Sequence, residues 1–147
     1  MKQALIFLFD RDLSKLKNEL KAYRSEEGLW KTTNTINNSA GTLALHLIGN
    51  LNYYIGAIMG NTGYVRDREA EFMLRDVPFV EILNKIEETK LVVTKSLLEF
   101  PEDWFSRQYP EEKFGYPMTY EYFMFHLVSH LNYHLGQINY HRRILDL

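Results

Sequence analysis

The sequence predicts an all-α chain organised as a four-helix bundle. Three observations carry this. Long stretches place apolar residues at three-to-four spacing, no stretch alternates apolar with polar as a strand would, and no hairpin turn signal or β-branched cluster competes. At 147 residues the chain reads as one domain, 1–147, large enough to bury a core without disulfides.

The first helix is predicted from about Lys2 to Tyr23, with Leu5, Phe9, Leu13, Leu16 and Leu20 on one face. Arg24 to Asn38 is polar, contains Gly28 and an Asn/Thr cluster, and reads as a connection. Ser39 is a good N-cap for a second helix ending near Gly60. Asn61 to Val77 reads as a second connection, in which Arg66 to Glu71 is expected to be a solvated turn with local ion pairs. Asp76 as N-cap and Pro78 in the first turn then open a third helix, which ends near Phe100-Pro101. A long loop to Pro117 precedes a fourth helix from about Thr119 to Leu145, roughly 40 Å at ~1.5 Å per residue. Connections of about 15 residues let neighbouring helices run parallel, so an up-down-up-down order does not follow. His46-Leu-Ile-Gly-Asn-Leu-Asn-Tyr-Tyr-Ile-Gly56 matches His126-Leu-Val-Ser-His-Leu-Asn-Tyr-His-Leu-Gly136 at six of eleven positions, an offset of 80 that suggests pseudo-equivalent halves.

Composition removes several function classes. Without cysteine there is no thiolate ligand or cysteine nucleophile, so a bound metal must be held by nitrogen and oxygen. The net charge of −2 disfavours a nucleic-acid partner. No stretch approaches the ~18–20 apolar residues of a membrane span, and the short apolar run at the start meets Asp10, Arg11 and Asp12 at once, unlike a signal peptide. A cytoplasmic location is the expectation.

The chemistry-bearing residues are histidines. His130 and His134 are four apart, a spacing at which two helical imidazoles can share one metal ion. On a helical wheel they lie between an aliphatic arc (Leu127, Leu131, Ile138) and an aromatic one (Tyr122, Tyr133, Tyr140), on the seam Phe123-Leu127-His130-His134-Gln137-His141. That seam is expected to face the interior. His46 sits on a comparable seam, with Gly49 leaving room beside it and Asn50 and Tyr53 close to its face. Singly, each histidine is explained as a core residue satisfied by tyrosines and asparagines; buried together, they call for a chemical reason. His126 and His130 form an equally good pair, and spacing does not choose between them. His141, beside Arg142 and Arg143 in the last turn, reads as structural.

With Leu45-His46-Leu47-Ile48-Gly49-Asn50, then Arg66-Asp67-Arg68-Glu69-x-Glu71-Phe72, then His130-Leu-Asn-Tyr-His134-Leu-Gly-Gln137, the chain resembles the DinB/YfiT-like superfamily of metalloenzymes over nearly its whole length. The resemblance implies an up-down-down-up four-helix bundle, often dimeric, holding a divalent metal, zinc or nickel, on three histidines. Carried over, the ligands are His46, His130 and His134, with Gly136-Gln137 selecting His134 over His126. Relatives of this kind include thiol-dependent S-transferases and hydrolases. The implied partners are a small-molecule substrate, including a low-molecular-weight thiol, and a second copy of the chain. The metal would lower the pKa of a bound water or thiol. Asn50 and Gln137, with Tyr53 and His126, are candidates for pocket or ligand-orienting positions, though either amide serves equally to cap a buried group. No serine or carboxylate presents itself as a general base. The alternative is a non-catalytic metal- or ligand-binding bundle acting through dimerisation.

Overall fold

The computed structural model describes residues 1–147 and is all-helical, without a β-strand. Its helices are α1 (Lys2–Lys21), α2 (Ala40–Leu51), α3 (Arg68–Met73), α4 (Phe79–Glu99) and α5 (Tyr120–Leu145), and no helix is long and apolar enough to cross a membrane. The predicted stripe of α1 is its buried face: Leu5, Phe9, Leu13, Leu16 and Leu20 are each at most 1% exposed. Two caps form as expected, with Thr42 N–H donating to Ser39 Oγ (3.1 Å) and Tyr122 N–H to Thr119 Oγ1 (3.1 Å).

Side-chain bonds between helices give their directions. Lys2 Nζ donates to the Leu98 carbonyl and Lys17 pairs with Glu87, so α1 and α4 are antiparallel. Asn132 donates to Asp12 and Asn139 to Glu19, so α1 and α5 are parallel. Asn52 donates to Thr89, and Gly60 lies against Ser96 as Gly56 does against Val92, so α2 and α4 are parallel. His46 meets His130 and Tyr54 meets Phe123, so α2 and α5 are antiparallel. All twelve residues of α2 are buried, because α3 and the turn Glu27–Trp30 cover the side that α4 and α5 leave open. The Trp30 indole needs Gly41 there, since a Cβ would stand 2.7 Å from it.

The offset of 80 has a structural counterpart. Asn52 Nδ2 donates to the carbonyl four residues back, Ile48 (2.8 Å), and to Thr89 Oγ1 of α4 (2.8 Å). Asn132 Nδ2 donates to Val128 O (3.0 Å) and to Asp12 Oδ2 of α1 (2.6 Å).

Three sequence expectations are corrected. The second helix widens after Leu51 into a π-helical turn, Asn52–Ala57, where Ile58 N–H reaches Tyr53 O and Gly60 N–H reaches Ile55 O. The Asn52 amide, bonded into the backbone ladder at Ile48 O, marks where the regular bonding gives way. Asp76 does not cap the third long helix: its φ of 55° puts it in the left-handed region, Pro78 is the N-cap, and the Phe79 N–H donates to distant Glu26 Oε2 (3.3 Å). The connection Asn61–Val77 is not wholly loop, because Asp67 caps Ala70 N–H (2.9 Å) and starts α3.

Candidate metal centre

α2 brings His46 into the interior, 6% exposed, opposite His130 and His134, which leave one face of α5 a turn apart and are half-buried. The three side chains converge through one kind of atom. His130 Nε2 lies 3.3 Å from His46 Nε2 and 3.1 Å from His134 Nε2, and the three ligand atoms all lie within 4.8 Å of one another. Two nitrogens bound to one tetrahedral zinc at ~2.0–2.1 Å would stand about 3.3–3.4 Å apart. The spacing suits a shared ion.

The outer ring nitrogens decide where the protons are. His46 Nδ1 is 3.0 Å from Glu71 Oε1 and His134 Nδ1 is 2.7 Å from Gln137 Oε1. Both partners are acceptors, so each neutral ring carries its proton on Nδ1 and presents a lone pair at Nε2. Arg66 Nη2 also approaches His46 Nδ1, but at 3.5 Å it is the weaker contact. Hydrogen bonding alone then leaves a single proton, that of His130, for three converging Nε2 atoms. At least one lone pair stays unpaired, and His130 Nδ1 is buried without a partner in any case. Each such loss costs on the order of 1–3 kcal/mol. A cation accepts all three Nε2 lone pairs at once, so the residues present fit a divalent metal. A set of neutral imidazoles suits zinc, nickel or copper better than magnesium or calcium.

Electrostatics favour the ligand form. Burial, reinforced by His134 and His46, pushes His130 down to about 3. Burial also lowers His134, against the opposing pull of its bond to Gln137. Neither proton competes with an ion at neutral pH.

Glu71 is the residue that sequence reasoning missed. Far from lying in a solvated turn, it is 6% exposed, and Arg66 grips it through Nε–H to Oε2 and Nη2–H to Oε1, both 2.8 Å. Burial pushes its carboxyl up, but the bonds from Arg66 and His46 outweigh that and hold it below the usual range. Gly49 makes this possible, because a Cβ there would stand 2.1 Å from Glu71 Oε2. The room that Gly49 leaves beside His46 is filled by this carboxylate. One signal was available: Asp67, three residues before Ala70, is a helix cap, and the short helix it starts carries Glu71 inward.

A cleft of 210 Å³ opens beside His46 and His130, walled by Asn50, Tyr54, Phe114, Phe123, His126 and Leu127. Asn50 is 6% exposed and its Oδ1 has no partner. His126 stacks on Phe123 and meets Phe114 edge-on at 4.6 Å; it borders the cleft but is not part of the three-histidine group. Tyr53 is corrected: its hydroxyl donates to Glu111, and Tyr54 takes the place expected of it at the cleft. In a π-helical turn each residue advances less about the axis, which brings Tyr54 round toward the histidine face. His141 is structural, held by Tyr23 Oη at 2.7 Å and the Lys31 carbonyl at 2.9 Å. A roomier groove of 570 Å³ at Ser106, Tyr116 and Tyr122 contains no imidazole, carboxylate or cation.

No family model matches the chain, and no curated protein is similar enough to be matched to it.

Proposed function

We propose that the protein is an up-down-down-up four-helix bundle of the DinB/YfiT-like kind that binds a divalent metal, zinc or nickel, through His46, His130 and His134. It uses the metal to transfer a thiol to, or to hydrolyse, a small molecule. The bundle order is supported by the directions of the four long helices: α1 and α5 run one way, α2 and α4 the other. The observation that carries the metal reading is the convergence of three Nε2 atoms with two Nδ1 protons already committed to Glu71 and Gln137. Three protein ligands leave a position open, as catalytic sites do and closed structural ones do not.

The metal, when bound, lowers the pKa of a water or thiol toward neutrality. Glu71 fixes the His46 tautomer and ring orientation, and Arg66 keeps that buried carboxylate ionised. Gln137 does the same for His134 from a more exposed position. Because the chain has no cysteine, any thiolate comes from a cosubstrate.

The test is metal content of the purified protein beside His46→Ala and His134→Ala, then thiol conjugation to an electrophile with several low-molecular-weight thiols. About one metal per chain, lost in both variants, supports the site. Activity indifferent to both thiol and metal removes the transferase reading.

A second reading, a binding bundle that acts as a homodimer, has its own observation. Tyr122, Phe125, Tyr133, Tyr140 and Ile144 of α5 are each about half exposed or more. Sedimentation of the wild type against Tyr133→Lys tests it.

A further inference from the structure

We propose that the cleft beside the histidines binds a small organic anion, its negative group held between Arg68 and Lys113 and its polar body reaching Asn50. This rests on the metal reading for what the anion lies beside, and not for the residues that hold it.

Three cations border the cleft, Arg66, Arg68 and Lys113, and no carboxylate does. Arg66 is committed to Glu71. Arg68 and Lys113 are not committed. The Arg68 guanidinium lies over the Phe72 ring at 5.0 Å, and Phe72 itself packs on His46 at 5.0 Å, so the cation is placed by the site. Lys113 stands next in sequence to Phe114, whose ring is seated against His126 and Phe123. Neither side chain has an ion-pair partner, although Glu69 and Glu112 are their neighbours in sequence. Two unpaired cations from two different segments therefore face one concavity whose other charged group is already neutralised. A metal on three neutral imidazoles adds positive charge on the same side.

The rest of the wall says what kind of anion. Phe114, Phe123, Leu127 and Tyr54 offer apolar surface to a carbon skeleton, which a bare inorganic ion would not use. Asn50 Oδ1, deep and unpartnered, asks for a hydrogen-bond donor such as a hydroxyl or amine. At 210 Å³ the cleft is below the ~300–1,000 Å³ of drug-sized sites, so the ligand is small.

The test uses the protein as purified with its metal, titrated calorimetrically with malate, citrate, benzoate and inorganic phosphate, and with malamide as the uncharged counterpart. Metal per chain is measured for every variant. At least one anion should bind, more weakly as salt rises, and malamide should bind more than about tenfold less tightly than malate. Arg68→Gln and Lys113→Gln should each weaken the anion about two- to fivefold, as rim ion pairs do, and the Arg68→Glu/Lys113→Glu pair more than tenfold, with metal content unchanged. Asn50→Leu should weaken malate more than benzoate, which has no donor to offer. Inorganic phosphate outbinding every carboxylate would overturn the organic-anion assignment, since a bare ion makes no use of the apolar wall. Anion binding that is absent, or untouched by the double charge reversal while metal is retained, overturns the proposal and leaves the metal reading standing. Loss of metal with anion binding intact does the reverse.

Discussion

Gly49→Ala sets two well-measured effects against each other. Glycine in a helix interior costs about 1 kcal/mol relative to alanine, so propensity alone predicts stabilisation. The added Cβ, however, would stand 2.1 Å from Glu71 Oε2, 2.6 Å from Cδ and 3.2 Å from Cγ. Relief to ordinary contact needs a retreat of roughly 1 Å or more. The carboxylate is held by two 2.8 Å bonds from Arg66 and one 3.0 Å bond from His46, and all three lengthen if it moves. Overpacking of this kind costs about 1–3 kcal/mol, and weakened charged hydrogen bonds add to it. The net expectation is a destabilisation of about 1–3 kcal/mol, read as a lower midpoint in urea at unchanged slope. Metal affinity should fall about 10–100-fold, since His46 loses its orienting carboxylate. The sign should invert when Glu71 is removed: in a Glu71→Ala background, Gly49→Ala should be neutral or stabilising by up to about 1 kcal/mol. If Gly49→Ala is more stable than the wild type and holds metal as tightly, Glu71 does not occupy the space beside His46 and the account of the site is wrong.

Other expectations are more direct. The metal-free protein should lose stability as pH falls from about 6.5 toward 3, because His130, depressed to about 3 in the fold, takes up its proton more readily when unfolded. The lowered His134 and Glu71 act with the same sign, and denaturant midpoints across that range, flat above about pH 7, check it. Gln137→Ala should weaken metal binding by about tenfold, the low end for an orienting partner because Gln137 is exposed; competition with a chelator measures it. Tyr109→Phe, which removes the buried hydroxyl donating to Tyr54 O at 2.9 Å, should cost about 1 kcal/mol of stability. Leu13→Ala, at a position 0% exposed, should cost about 2–5 kcal/mol in the same assay.

What was legible in the sequence follows the range of the interactions. The apolar stripe of α1 and the caps at Ser39 and Thr119 depend on neighbours within a turn or two, and each stands where periodicity and capping chemistry put it. The start of α4 is not legible at Asp76 because the acceptor for the Phe79 N–H, Glu26, comes from another connection. The π-helical turn begins at Asn52, but Asn132 makes the matching bonds inside a regular α-helix, so no local pattern announces it. At the site, His46, His130 and His134 are readable as a set, and so is the room at Gly49, but its occupant is not. A glutamate in a charged run looks solvated until the fold buries it against an arginine.

The matched bonds of Asn52 and Asn132 reach further than local packing. Shifting His46 forward by the same 80 residues gives His126, and shifting His130 and His134 back gives Asn50 and Tyr54. Those three residues all line the cleft. The three-histidine cluster and the cleft beside it thus draw on matching positions at the 80-residue offset. One set carries three imidazoles; the other carries one, with an amide and a phenol in the other two places. Changing Asn50 and Tyr54 to histidine asks whether three imidazoles at the matching positions gather an ion as well.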